Sequence, residues 1–310
     1  MFVIVGILVV LGAVIGGFLM EHGPLRVLMQ PSEAIIIGGA ALGTLLVANP
    51  LHVLKSVMAG VLQVVKGSKF SKQRYLDSLK MLYEMFNKIR REGPNSVEND
   101  IEEPEKSKFF AAFPHVAKDA LIRNFVCDTM RVVLMGGIEA FDVDQMMEAD
   151  IDVHSHETEQ SVGALGTVAD SLPGLGIVAA VLGVVMTMSA LGGPPEEIGK
   201  KVAAALVGTF LGILLCYGFI GPISANLAKL AHEEQEYLHV LRVTMMAFMK
   251  GISPLLAVEM GRRSVPAHLR PSFNEMEKHC KQSSAAAANA APEAAASEPG
   301  AESQPAEAAT

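Results

Sequence analysis

Charge is missing from four long stretches of this 310-residue chain. Residues 2–20, 34–54, 171–195 and 202–228 contain no Asp, Glu, Lys or Arg. About 20 apolar residues in a helix cross a hydrocarbon core of roughly 30 Å, and each stretch meets that length. Backbone amides in lipid must be satisfied internally, so helices are expected in all four. Core helices of soluble proteins usually run shorter, and four such runs exclude that reading. The first run begins Met1-Phe2-Val3-Ile4, with no basic segment ahead of it and no small-residue cleavage site after it. It is therefore expected to be a retained span and not a signal peptide.

Other scarcities narrow the function. The three cysteines, Cys127, Cys216 and Cys280, are too far apart for a metal-ligand spacing. Two fall in segments expected in the cytoplasm and one in a span, so no disulfide is expected. No basic patch is interleaved with aromatics, so nucleic acid is not implied. No nucleophile–base constellation, phosphate-cradling glycine loop or metal motif occurs, so neither an enzyme nor a cofactor is expected. His154 and His156 are two residues apart, and such positions do not share a helix face. They read as part of a solvated acidic helix.

The most informative absence lies within the spans. No carboxylate, Lys, Arg or His sits deep in any of them, yet proton relays in membranes normally need an ionisable group there. The polar candidates are Thr187, Ser189, Thr209, Cys216 and Tyr217, and the closest acid is Asp170, at the mouth of the third span. A hydroxyl can line a wet path but does not readily hold a proton at neutral pH. If the chain conducts protons, the titrating carboxylate is expected from a partner.

What is present gives a topology. Segment 55–170 carries fourteen Lys and Arg, the region after residue 228 carries eight, and segment 21–33 carries only Arg26. The positive-inside rule places the first two in the cytoplasm, with both termini. Lys200 and Lys201 resist this scheme, because they fall on the outer side, partly offset by Glu196 and Glu197. The expected fold is an all-α membrane protein with four transmembrane helices and a large helical cytoplasmic insert between helices two and three. The expected segments are a first membrane hairpin at 1–54, a cytoplasmic helical domain at 55–170 and a second membrane hairpin at 171–228. A cytoplasmic helical region follows at 229–282, then a disordered tail at 283–310 made almost only of Ala, Ser, Glu, Pro and Gly. Within the insert, Tyr75, Leu76, Leu79, Leu82, Tyr83 and Phe86 recur at helical spacing, and Gly93-Pro94 ends that helix. Further helical patterns cover 116–134, 143–159 and 229–260; the acidic 143–159 pattern leads into the third span, so the insert is expected to continue the membrane helices into the cytoplasm.

Small residues recur at spacing four in the spans: Gly12 with Gly16, Gly39 with Gly43, Gly176 with Ala180, Gly208 with Gly212. Such faces allow close helix approach in lipid, either as ordinary packing or as a subunit contact. Pro173 opens the third apolar run, where a helix-start role is common. Pro222 falls late in the fourth, where it is expected to kink or weaken the helix.

The stretch Ser171-Leu172-Pro173-Gly174-Leu175-Gly176-Ile177-Val178-Ala179-Ala180 resembles the MotA family of bacterial flagellar motor proteins. Val207-Gly208-Thr209-Phe210-Leu211-Gly212 and Tyr217-Gly218-Phe219-Ile220-Gly221-Pro222 extend the resemblance. So do the opening hairpin, Asn99-Asp100-Ile101-Glu102-Glu103-Pro104 and Arg270-Pro271-Ser272-Phe273; only the Ala-rich tail falls outside it. The resemblance implies a stator subunit of the inner membrane, forming a homo-oligomeric ring around a dimer of MotB. MotB, a single-span protein, would supply the membrane aspartate, and the ring would push on the rotor protein FliG. It further implies that Pro173 and Pro222 couple ion flow to conformational change and that Thr209 lines the ion path. Arg90 and Glu98 match the charged pair of the rotor-facing insert, and Asp150 matches an acidic position of the cytoplasmic domain. Ala180 lies where sodium-driven relatives carry a threonine. Sodium needs oxygen ligands, so the transported ion is expected to be a proton. Two alternatives stay open: an ExbB- or TolQ-like energiser of outer-membrane transport, which typically has three spans, and a purely structural scaffold.

Overall fold

The computed structural model describes residues 2–189 and 192–290, with side chains through residue 281. Among these residues every regular element is helical and there is no strand. Among the described residues four helices are long and apolar enough to cross a membrane. In chain order the longer helices are α1 (Phe2–Met20), α2 (Pro31–Ala48), α3 (Leu51–Lys66), α4 (Lys72–Glu92) and α5 (Ala120–Met135). They continue with α6 (Ala140–Met188), α7 (Pro195–Leu214), α8 (Gly221–Met249), α9 (Pro254–Ser264) and α10 (Phe273–Ala290). By contacts the chain divides into two units, Met1–Phe70 with Ala149–Glu236, and Ser71–Glu148 with Tyr237–Thr310. The expected segment 55–170 is therefore shared between them: α3 and residues 149–170 of α6 pack in the first unit.

In the first unit α1 and α2 are joined through the short helix Leu25–Leu28. The second apolar run does not form one span through residue 54. It ends at Ala48, because Pro50 forces Asn49 into extended geometry at φ −132°, ψ 141°. Pro50 then stands at the N-cap of α3, which opens at Leu51. One face of α3 (Val53, Val57, Val64) is buried against Ala164 and Leu165 of α6 and Leu227 and Leu230 of α8. Gly60 faces Leu227 so closely that an added Cβ would meet its Cδ1 at 2.9 Å. The 143–159 pattern is the first part of α6 and leads into the third span, as expected. There Ile151 is buried, and His154 is half-buried. Its Nε2 lies 3.2 Å from Glu234, whose carboxylate also meets Lys69 at 2.5 Å.

In the second unit, Ser71 caps α4 by accepting a hydrogen bond from the Arg74 amide. Gly93, at φ +91°, ends the helix where the sequence expects it to end. The buried face of α4 presents Tyr75, Leu79, Leu82, Met85 and Phe86. Phe86 stacks on Phe248 at 4.1 Å, and Tyr75 tilts against Tyr237 at 4.9 Å. The Tyr237 hydroxyl shares a hydrogen bond with Ser78. Arg242 grips Asp144 at 2.6 Å and Glu148 at 3.2 Å, fixing the first turns of α6 to α8.

Two expected helices are shorter or longer than their periodicity implies. The pattern through residue 260 is broken after Met249, where Gly251 adopts φ +83° and Pro254 starts α9. At the other end, α10 continues to Ala290, so residues 283–290, expected to be disordered, are helical. Four of those eight residues run as consecutive alanines, the best helix former. The rest of the expected tail, 291–310, lies outside the described residues.

Candidate ion-path site

The site is built where α6 crosses α7 in the first unit. An added Cβ on Gly176 would lie 2.9 Å from the Gly208 carbonyl oxygen. One on Gly212 would lie 2.5 Å from the Leu172 carbonyl oxygen and 2.9 Å from Gly176 Cα. One on Gly183 would meet Ala205 Cβ at 2.7 Å. The two backbones touch, and only small residues permit it. The small-residue faces expected on α6 and α7 thus meet each other. Gly12, Gly16, Gly39 and Gly43 behave differently: an added Cβ there meets nothing within 4 Å in this chain.

Thr209 and Ala180 stand at this crossing. An added Cβ on Gly208 would lie 3.2 Å from Ala179 Cβ and 3.4 Å from the Ala180 amide nitrogen, and Thr209 follows Gly208 on α7. Both Thr209 and Ala180 are half-buried. Asp170 is exposed. It lies ten residues before Ala180 on the same helix, a rise of about 15 Å.

Both prolines sit inside continuous helix. Pro173 does not start a helix; it is an interior residue of the 49-residue α6. Having no N–H, it leaves the Ala169 carbonyl without its usual donor four residues on. Pro222 is preceded by a π-helical turn, Leu215–Ile220, in which the Gly221 N–H bonds back five residues to the Cys216 carbonyl. The expected kink is thus taken up as one wide turn, a common feature of functional sites in helices. Gly221 is required there, because a Cβ would lie 2.8 Å from the Cys216 carbonyl oxygen. The backbone irregularities at Pro173 and at the π turn share a buried cluster. It contains Ile37 and Ala41 of α2, Ala169, Leu172 and Ala179 of α6, and Cys216.

One acid lies just ahead of the second uncharged run and is nevertheless buried in this unit. Glu33, the third residue of α2, is only 5% exposed. Its Oε2 is buried and has no hydrogen-bond partner among the described residues. A Cβ added to Gly208 would lie 2.9 Å from that oxygen, so the carboxylate rests on the Gly208 backbone. The signal in the sequence is Gln30-Pro31-Ser32-Glu33 ahead of an apolar run, which reads as a helix start with Glu33 in its first turn.

The outer-side lysines are accommodated locally: Lys200 pairs with Glu196 at 2.8 Å, and Lys201 reaches the Met186 carbonyl at 3.5 Å. In the second unit Arg90 and Glu98 are both exposed, on the last turn of α4 and just after Gly93-Pro94. No ion pair joins them among the described residues. Their neighbour Lys88 is engaged instead, with Asp100 at 2.7 Å. Asp150 is exposed on α6 and belongs to the first unit, whereas Arg90 and Glu98 belong to the second.

Comparison with known proteins fits this arrangement. Residues 4–93 match the motility protein A N-terminal family, and residues 117–240 match the MotA/TolQ/ExbB proton channel family. Motility protein A of Salmonella typhimurium is 39% identical over 281 residues, covering 91% of this chain and 95% of that protein. The Escherichia coli motility protein A matches at the same identity and coverage. Chemotaxis protein LafT of Vibrio parahaemolyticus is 35% identical over 88% of this chain and 96% of its own length. The fold is similar to that in the structure of C. jejuni MotAB, with TM-score 0.71 and 16% identity over 86% of this chain and 95% of that one. It is also similar to the flagellar MotAB stator complex from Bacillus subtilis, with TM-score 0.68 and 19% identity over 88% and 97%. The chain belongs to the motility protein A family, within the MotA/TolQ/ExbB proton channel family.

Proposed function

We propose that this stator chain works as a ring of copies around a MotB-type single-span partner and converts inward proton flow into torque on the rotor protein FliG. The observation that carries the reading is the α6–α7 crossing. Bare backbone contact at Gly176, Gly208 and Gly212 brings a hydroxyl (Thr209) and a side chain without oxygen (Ala180) to one place. Two proline-marked irregularities lie on the same pair of chain segments. Such a crossing offers a wet lining and a deformable backbone. A membrane aspartate on the partner would supply the titrating acid. Ala180 offers no side-chain oxygen to sodium, which favours protons.

The topology fits an inner-membrane protein with both termini in the cytoplasm, where most of the Lys and Arg lie. Arg90 and Glu98, exposed and without an ion pair to each other, are the side chains available to meet a charged rotor surface. Asp150 is a third exposed charge for that role. A transport energiser of the ExbB or TolQ kind is the lesser reading, because residues 4–93 match the motility-specific N-terminal model.

The experiment is complementation of a non-motile strain lacking this chain, with its partner present. Tethered cells should rotate, stop when a protonophore collapses the proton gradient, and be indifferent to sodium. Rotation that follows sodium concentration instead would overturn the ion assignment. Restored membrane energisation without rotation would overturn the motor assignment.

A further inference from the structure

Glu33 has no use in the account above, and its surroundings give it no structural one. An unpartnered buried carboxylate oxygen is costly unless it carries a proton or meets a donor. A buried charge of this kind lowers stability relative to a well-packed apolar residue. Ionisable residues within membrane segments are a functional hypothesis by default. The charged groups on the elements around Glu33 are turned to other tasks. Arg26 on the short helix before α2 is exposed, as are Glu197 of α7 and Asp170 of α6. Glu196 and Lys200 pair with each other, and Lys201 donates to the Met186 carbonyl. The Oε2 of Glu33 instead rests on Gly208, the residue before Thr209, where an added Cβ would also meet Ala179 Cβ and the Ala180 amide nitrogen.

We propose that Glu33 is a proton-binding site that this chain itself contributes to the ion path, ahead of the partner's acid. The inference rests on the proton-driven reading above. In each passage Oε2 accepts a proton from a water chain on the outer side and an O–H bond forms. That bond breaks when the proton moves on through water at the Thr209 crossing, and the carboxylate is restored. No other bond changes, and the charge carried inward is the proton alone. The small residues at the crossing serve this step, since a side chain on Gly208 would displace the carboxylate.

The test uses cells carrying this chain and its partner, with rotation speed at low load recorded against external pH. Motor occupancy is counted with a fluorescent tag. Glu33→Gln keeps the shape and removes the proton site. It should rotate several-fold slower than the parent at equal occupancy, with a flattened dependence on external pH. Glu33→Asp keeps the acid but withdraws it by one methylene, and should rotate with a shifted pH profile. Parent speed and pH profile in Glu33→Gln would overturn the proposal. Should Glu33→Gln fail to accumulate, an unshifted profile in Glu33→Asp would overturn it equally. Sodium-dependent rotation of the parent would sink the proton reading itself, which the protonophore arm detects without any variant.

Discussion

Gly212→Ala is the sharpest probe of the helix crossing. The new methyl group would stand 2.5 Å from the Leu172 carbonyl oxygen and 2.9 Å from Gly176 Cα. Both obstacles are backbone, so no rotamer change relieves them. The helices must separate, and the contacts that Gly176 and Gly208 make elsewhere along the crossing are loosened with them. Overpacking of this kind costs about 1–3 kcal/mol. Replacing glycine by alanine in a helix returns about 1 kcal/mol of propensity. With immovable neighbours the overpacking lies near its upper end, leaving a net loss of about 2 kcal/mol, or roughly thirtyfold in the folding equilibrium. Gly199→Ala on the same helix is the control. Nothing lies within 4 Å of its added Cβ, so it should be neutral or slightly stabilising. Thermal denaturation of the detergent-solubilised protein, with abundance in the membrane, reads both. Equal behaviour of the two variants would refute the backbone contact at Gly212.

Pro173→Ala supplies an N–H for the Ala169 carbonyl and should raise or preserve stability, yet impair swimming; normal swimming would remove Pro173 from the coupling role. Thr209→Val, which keeps the shape and drops the hydroxyl, should also swim poorly at normal abundance. Arg90→Glu and Glu98→Lys alter exposed charges, so stability should stay within about 0.5 kcal/mol. Torque should fall in each, and normal rotation by both single variants and the double would make them loop charges. Burial pushes the thiols of Cys127 and Cys280 up to about 12 from an ordinary value of 9.0. The thiolate is the reactive form, so both should resist alkylation at pH 8 while the protein is folded and react once it is denatured. Prompt labelling of the native protein would contradict their burial.

Much of the fold is legible in the sequence because membrane spans are signalled by length and lack of charge alone. The four spans, the α4 boundaries at Ser71 and Gly93, and the small-residue faces of α6 and α7 follow from local rules. The misreadings occur where two local signals compete. At Asn49-Pro50 an uncharged run continues across a backbone break, and hydropathy does not register the proline. At Pro173 a proline at the start of an apolar run looks like a helix start, although the helix begins 33 residues earlier, at Ala140. The acidic 143–159 pattern is legible as leading into the span, and the proline alone suggests a new start. Glu33 fails for another reason. Burial of a first-turn residue depends on which helix it faces, and only the arrangement of α2 beside Gly208 places it inside.

The same arrangement explains why the crossing is not a uniform packed seam. A regular pair of helices joined by glycine contacts would be rigid, since every carbonyl would be held and every contact close. Here the regularity is interrupted on both partners. Pro173 frees the Ala169 carbonyl on α6, and the π turn before Pro222 shifts the hydrogen bonding from four residues to five. Ala169, Leu172 and Cys216 belong to one buried cluster with Ile37 and Ala41, one turn and two turns along α2 from Glu33. The two backbone irregularities are thereby packed against the helix that carries the buried acid. A change of charge at Glu33 acts on Gly208 by direct contact, and Gly208 is held against α6 by the contacts that flank Pro173. That chain of contacts is short and made of backbone, so a small displacement at the acid has few side-chain rotamers in which to dissipate before it reaches α6.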